Sequence, residues 1–103
     1  MTNSFPLVTI MIPVYNQADF LQHALESALA QDYPYIEIVI SDDCSVDDSE
    51  SIVKKYSAGR KLRYYRKMQN IGRVSNYKHT LENYCNGEWI VNLDADDYFT
   101  DPA

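Results

Sequence analysis

The chain has 103 residues, room for one hydrophobic core and too little for two. With 46% apolar residues, 3 Gly and 4 Pro it reads as a soluble folded domain, and no tract is biased enough for disorder. A net charge of −6 argues against a nucleic-acid or anionic-membrane surface, because both need a basic face.

Leu7 to Ile12 is an apolar run that Pro13 should end, which predicts a first strand covered on both faces. From Ala18 the period changes: Leu21, Ala24, Leu25, Ala28 and Leu29 form one helical stripe, and Pro34 forbids its continuation. Ile36 to Ile40 predicts a second strand. Ser45 to Asp48 has the spacing of a capping box for a helix through Ile52, Val53 and Tyr56, which Gly59 should close. Leu62 to Tyr65 predicts a third strand. Val74, Tyr77, Leu81, Tyr84 and Cys85 lie on one face of a third helix, with Asn86-Gly87 as its stop. Trp89 to Leu93 predicts a fourth strand, buried, that delivers Asp94-Ala95-Asp96-Asp97. Four strands alternating with three helices mean an α/β domain with a mostly parallel sheet, whose ligands sit at the carboxyl ends of the strands.

All 9 Lys and Arg lie between Lys54 and Lys78, flanked by acidic clusters at Asp42 to Asp48 and at Asp94 to Asp97. Such a run is either a solvated face or a phosphate-facing side opposite a metal-binding side. The 2 cysteines, Cys44 and Cys85, have neither zinc spacing nor disulfide density, so a reduced, cytoplasmic setting is the expectation. No charged leader with an apolar core opens the chain, and its apolar runs are strand-sized, so no membrane span is expected in this segment.

Three carboxylates within four residues at Asp94 to Asp97 repel one another unless a cation or strong donors offset the repulsion. Hard oxygen ligands suit Mg2+ or Mn2+; the alternative is that Asp96 and Asp97 cap a turn. Asp43, after the second strand, can accept from a base ring N–H or serve only the turn. Tyr15, in the Pro13-Val14-Tyr15-Asn16 segment, offers a ring for stacking, although a plain turn explains the segment equally well. Asn70-Ile71-Gly72-Arg73, with Asn76 one turn on, suits a loop approaching a ligand, with Arg73 as a phosphate partner. The basic residues Arg60 to Lys67 suit a solvent-facing edge strand, and His23, His79 and Cys44 have no partners that suggest catalysis.

Taken in order, Pro13-Val14-Tyr15-Asn16, Ile38 to Ser45, Asn70-Ile71-Gly72 and Gly87 to Asp97 resemble the family 2 glycosyltransferases, over Leu7 to Pro102. The resemblance implies a truncated GT-A fold, Rossmann-like with helices on both faces. Residues 1–103 would be a single domain, the N-terminal nucleotide-sugar-binding part. It implies metal-dependent transfer of a sugar, usually with inversion, from a nucleotide-diphosphate sugar, a UDP-sugar foremost, in glycan or polysaccharide synthesis. The acceptor would be a glycan, lipid-linked or other hydroxyl. Position by position, Pro13 and Tyr15 would line the nucleotide pocket, Asp43 would bind the base and Asp94 would touch ribose or sugar. Asp96 would hold Mn2+ or Mg2+, with Asp97 beside it. Where the family commonly has Gly, this chain has Cys44, which points to a tighter loop. The general base is expected beyond residue 103, and any membrane association through other parts of a parent protein. A nucleotidyltransferase lacks its Gly-rich basic loop here, and a phosphoacceptor domain would carry its acidic pair after the first strand. A non-catalytic nucleotide-sugar-binding module stays open.

Overall fold

A computed structural model of the chain describes residues 5–57 and 62–96. Its elements run β1 (Val8–Val14), α1 (Ala18–Leu29), β2 (Ile36–Asp42), α2 (Ser49–Ser57), β3 (Leu62–Arg66), α3 (Arg73–Asn83) and β4 (Trp89–Asn92). The strands form one parallel sheet in the order β3-β2-β1-β4. Gly59, expected to close α2, and Asp97 lie outside the described residues, as do Arg60 and Lys61.

Strand alternation sends Ile10, Ile12, Val14, Ile38 and Ile40 to one face, where Leu21, Ala24, Leu25 and Ala28 of α1 and Val53 of α2 close the core over them. The opposite face carries Thr9, Met11, Val39 and Ser41, and α3 packs there against β1 and β2. Helices therefore cover both faces of the sheet.

Five expectations are corrected. Pro13 does not end β1, which runs to Val14. Met11 O accepts from Leu93 N at 2.9 Å, so alternation puts the nitrogen of Pro13 on the β4 side as well, past the last β1–β4 pair at Met11 and Asn92, where no ladder bond is lost. Second, Ser45 is not a helix cap. Its Oγ accepts from the backbone N of Asn16 at 2.9 Å, and α2 begins at Ser49. Asp47 serves both neighbouring helix starts instead: Oδ1 accepts from Ser49 N at 3.1 Å and Oδ2 from Ala18 N at 3.0 Å. Burial opposes the charge of Asp47, but these donors and the Ser49 hydroxyl outweigh it and hold the carboxyl below its usual range.

Third, the inward side of α3 is polar. Its buried residues are Asn76 and Thr80, whereas Val74 and Tyr77 are exposed. The reason lies in the sheet beneath, where Ser41 Oγ donates to Asn76 Oδ1 at 2.6 Å and meets Thr80 Oγ1 at 2.5 Å. α3 also ends at Asn83, before Asn86-Gly87. Gly87 is needed for close approach: a Cβ there would lie 2.6 Å from the backbone N of Thr9. Fourth, β4 is an exposed edge strand. Only past its end do side chains turn inward, with Leu93 and Ala95 buried in the core.

Of the basic run, Arg63 is not solvent-facing in the simple sense expected. It donates to Glu37 Oε1 at 2.7 Å and to Tyr84 O at 2.8 Å, and so ties the β3 edge to the end of α3.

Candidate active site

The carboxyl ends of β1, β2 and β4 open into one cleft of about 390 Å3. Its walls include Pro13 near the end of β1 and Tyr15 just after it, Asp43 after β2, Arg73 at the start of α3, and Asp94 and Asp96 after β4. These six were singled out from sequence, and the fold brings all six together. Asn70, Gly72 and Asn76 join them, as does Gln17, which gave no sequence signal beyond being a polar residue at the start of a helix.

Local structure explains each placement. Leu93 and Ala95 point into the core, so the alternating Asp94 and Asp96 are turned toward the cleft. The ring of Tyr15 is half exposed at the cleft wall, held by a turn in which Asn16 adopts φ 52°. Asn16 Oδ1 accepts from Val46 N at 2.9 Å, which fastens the loop after β1 to the loop after β2. Cys44 adopts φ 69°, a left-handed conformation that favours Gly, in the tight loop between Asp43 and Ser45.

The acidic pair at the end of β2 divides its work. Asp42 is fully buried and structural: Oδ1 accepts from Ser45 N at 2.8 Å, and Oδ2 accepts from the Tyr64 hydroxyl. Burial and this bond push the Tyr64 hydroxyl well above its usual range. Asp43 uses both oxygens as a clasp, accepting from Ile71 N at 2.8 Å and Gly72 N at 2.9 Å. Asn70 Nδ2 also donates to Asp43 O at 3.3 Å, so the segment that leads into α3 is fixed to the end of β2. Lys67 lies close to this pair; burial holds its ammonium below the usual range although Asp43 and Asp42 pull the other way.

On the opposite wall Arg73 Nη2 donates to Asp94 Oδ2 at 3.3 Å, and Asn92 Nδ2 donates to Asp94 Oδ1 at 3.1 Å. Arg73 is largely exposed, so this pair contributes little to stability, and its importance is the positive charge it brings to an acidic cleft. Asp94 and Asp96 offer carboxylate oxygens to the cleft, and among the described residues no group of three or more His, Cys, Asp or Glu gathers as a metal cage. That donor set fits Mg2+ or Mn2+, which bind through one or two carboxylates and leave positions for water and phosphate oxygens. Asp97 lies outside the described residues. No helix among the described residues is long and apolar enough to cross a membrane.

Comparison with known proteins places this geometry. The model of Glycosyl transferase family 2 matches residues 9–103. An uncharacterized glycosyltransferase of Rickettsia felis is 43% identical over 94 residues, which is 91% of this chain and 15% of that protein. The mannosyltransferase PcManGT from Pyrobaculum calidifontis, solved in complex with GDP-Man and Mn2+, superposes with a TM-score of 0.86 at 27% identity, over 94% of this chain and 29% of that one. S. aureus TarS 1-349, solved in complex with UDP-GlcNAc, gives a TM-score of 0.82 at 30% identity, over 89% and 27%. The chain thus spans a minor part of the proteins it matches. With its parallel Rossmann-like sheet of the GT-A type, it belongs to glycosyltransferase family 2.

Proposed function

We propose that this chain forms the donor-binding part of a metal-dependent, inverting glycosyltransferase that moves a sugar from a nucleotide-diphosphate sugar to an acceptor hydroxyl in glycan or polysaccharide synthesis. The observation that carries the reading is the convergence of Tyr15, Asp43, Arg73, Asp94 and Asp96 on one cleft at the strand ends. The donors held by PcManGT and TarS support it, and both UDP- and GDP-sugars are therefore tested, with a UDP-sugar as the first choice.

In this reading the ring of Tyr15 stacks on the base. Asp43 keeps lone pairs beyond those used by Ile71 and Gly72, and these accept from a base N–H. Arg73 binds a diphosphate oxygen as a charge-assisted donor, and leaves Asp94 to contact ribose or sugar. Asp96, with Asp97, would hold Mn2+ or Mg2+, which would supply positive charge against the leaving nucleoside diphosphate. An acceptor hydroxyl attacks the anomeric carbon as the diphosphate leaves, and a carboxylate beyond this chain takes its proton. The reaction is assigned to the cytoplasm.

The reading is tested by titrating the protein with UDP and GDP, each with and without Mn2+. One nucleotide should bind in a Mn2+-dependent manner, and Asp96→Asn should abolish that dependence. Mn2+-dependent affinity that survives Asp96→Asn unchanged would refute the assignment.

A further inference from the structure

The two edges of the sheet differ in character. β3 carries Arg63 and Arg66, with Lys67 just past it, and charge along an edge discourages pairing with a foreign strand. β4 is Trp89-Ile90-Val91-Asn92, without a charged residue, and every position of it is exposed. Trp89, the only tryptophan of the chain, is 66% exposed. Leu93 N donates to Met11 O, so strand alternation turns the backbone N–H and C=O of Ile90 and Asn92 outward, away from β1. An uncharged edge that presents such groups is a template for another strand.

We propose that two copies of this chain join β4 to β4, antiparallel about a twofold axis, and so merge two four-stranded sheets into one. Residues directly opposite each other in an antiparallel pair point to the same face. Trp89 and Val91 follow Val8 and Ile10 to the α1 side, while Ile90 and Asn92 follow Thr9 and Met11 to the α3 side. A twofold axis normal to the sheet preserves these faces, so it passes through a residue, either Ile90 or Val91. With the axis at Val91, Glu88 faces Asp94 of the second copy, and like charges in that position are destabilising. With the axis at Ile90, Trp89 packs on Val91 of the second copy, an aromatic ring on a β-branched side chain. Glu88 then faces the Asn92 amide, at the end of β4 where Arg73 brings positive charge through its pair with Asp94. The outward N–H and C=O of Ile90 exchange hydrogen bonds with their own copies. The segment is thus complementary to itself: apolar in the middle, acidic at one end, and an amide and a guanidinium at the other. Antiparallel pairing also sends the two clefts to opposite ends of the merged sheet, so neither blocks the other.

Light scattering of the unsubstituted protein should read twice the monomer mass. Dilution should halve that mass and red-shift the emission of Trp89, as its ring returns to water. Ile90→Lys, which sets two ammonium groups face to face at the axis, should weaken association at least about tenfold. Disulfide trapping reads the register against the unsubstituted protein, whose Cys44 and Cys85 supply the background. Ile90→Cys should cross-link to its own copy. Val91→Cys should not, because its copy is displaced along the strand beyond the roughly 7 Å that a disulfide spans between Cα atoms. If Ile90→Lys fails to fold, the trapping pair decides. A monomer at every concentration, which would leave β4 to some other strand, overturns the proposal. So does a dimer indifferent to Ile90→Lys, or bridging at Val91→Cys in place of Ile90→Cys.

Discussion

On the α1 and α2 side of the sheet, Ile10, Ile12, Ile38 and Ile40 meet Leu21, Leu25 and Val53 in a wholly apolar contact. On the α3 side the same strands present Thr9, Glu37 and Ser41, and the helix answers with Asn76 and Thr80. The first contact is non-directional: it stabilises in proportion to the area removed from water and tolerates small shifts. The second is directional, because each hydrogen bond holds only at one rotation and height of α3, and among the described residues no buried side-chain polar atom is left without a partner. α3 carries Arg73 and Asn76 into the cleft, so the face that positions the site is the one built from geometry-demanding bonds. The larger apolar cluster lies on one face of the sheet, while on the other, beside the buried Met11 and Val39, hydrogen bonds set the placement of α3.

The sharpest way to break this division is to damage the apolar face alone. Leu25 is fully buried between α1 and the sheet, and Leu25→Ala should cost about 3 kcal/mol in chemical denaturation. Nucleotide affinity of the folded fraction should change less than about twofold, because α1 contributes no buried side chain to the cleft. A large loss of affinity in a fully folded sample would show that the two faces are not independent.

A smaller effect is expected from the polar face, and it should depend on pH. Glu37 accepts from Thr9 Oγ1 at 2.5 Å, Arg63 Nη2 at 2.7 Å and Asn86 N at 2.7 Å. Burial opposes its charge, but these donors outweigh it and hold the carboxyl below the ordinary 4.5. Because the folded state favours the ionised form, the stabilisation is fully present above 4.5 and is lost as pH falls through the depressed folded value. Glu37→Gln should therefore cost about 2 kcal/mol near neutrality and flatten the acid limb of the stability curve. An acid limb of unchanged steepness would remove Glu37 from the account and leave Asp47, the other depressed carboxyl among the described residues.

The same contrast explains what the sequence made legible. Short strand-sized segments and the Leu21 to Leu29 stripe predicted all four strands and α1 closely, because apolar burial is written as hydrophobic periodicity. The α3 face was misread for the opposite reason. Val74 and Tyr77 carry the apolar signal, while the inward residues are polar, and only the polar row on the sheet, seen in the fold, makes Asn76 and Thr80 the buried choice. The clustered acids and the Pro13 to Asn16 segment marked the cleft because strand ends converge by topology. Neither Asp43's clasp on Ile71 and Gly72 nor the bond from Ala18 to Asp47 could be read from spacing, since both join segments far apart in the chain.

The smallest effect tests the loop that links the two faces to the cleft. Cys44 sits at φ 69°, where a side chain costs about 1 kcal/mol relative to Gly. Hydrogen bonds fix the residues on either side of it: Asp43 holds Ile71 and Gly72, and Ser45 donates to Asp42 and accepts from Asn16. None of these bonds uses the Cys44 side chain, so Cys44→Gly relieves the strain without moving the clasp. The gain is reduced by the greater freedom of Gly in the unfolded chain, which leaves a net stabilisation of about 0.5 kcal/mol. Nucleotide affinity should stay within about twofold of the unsubstituted protein, since the backbone already occupies the conformation Gly prefers. A fall in stability would mean that packing of the half-buried thiol outweighs the backbone strain. The loop would then be held by its side chain as well as by the bonds around it.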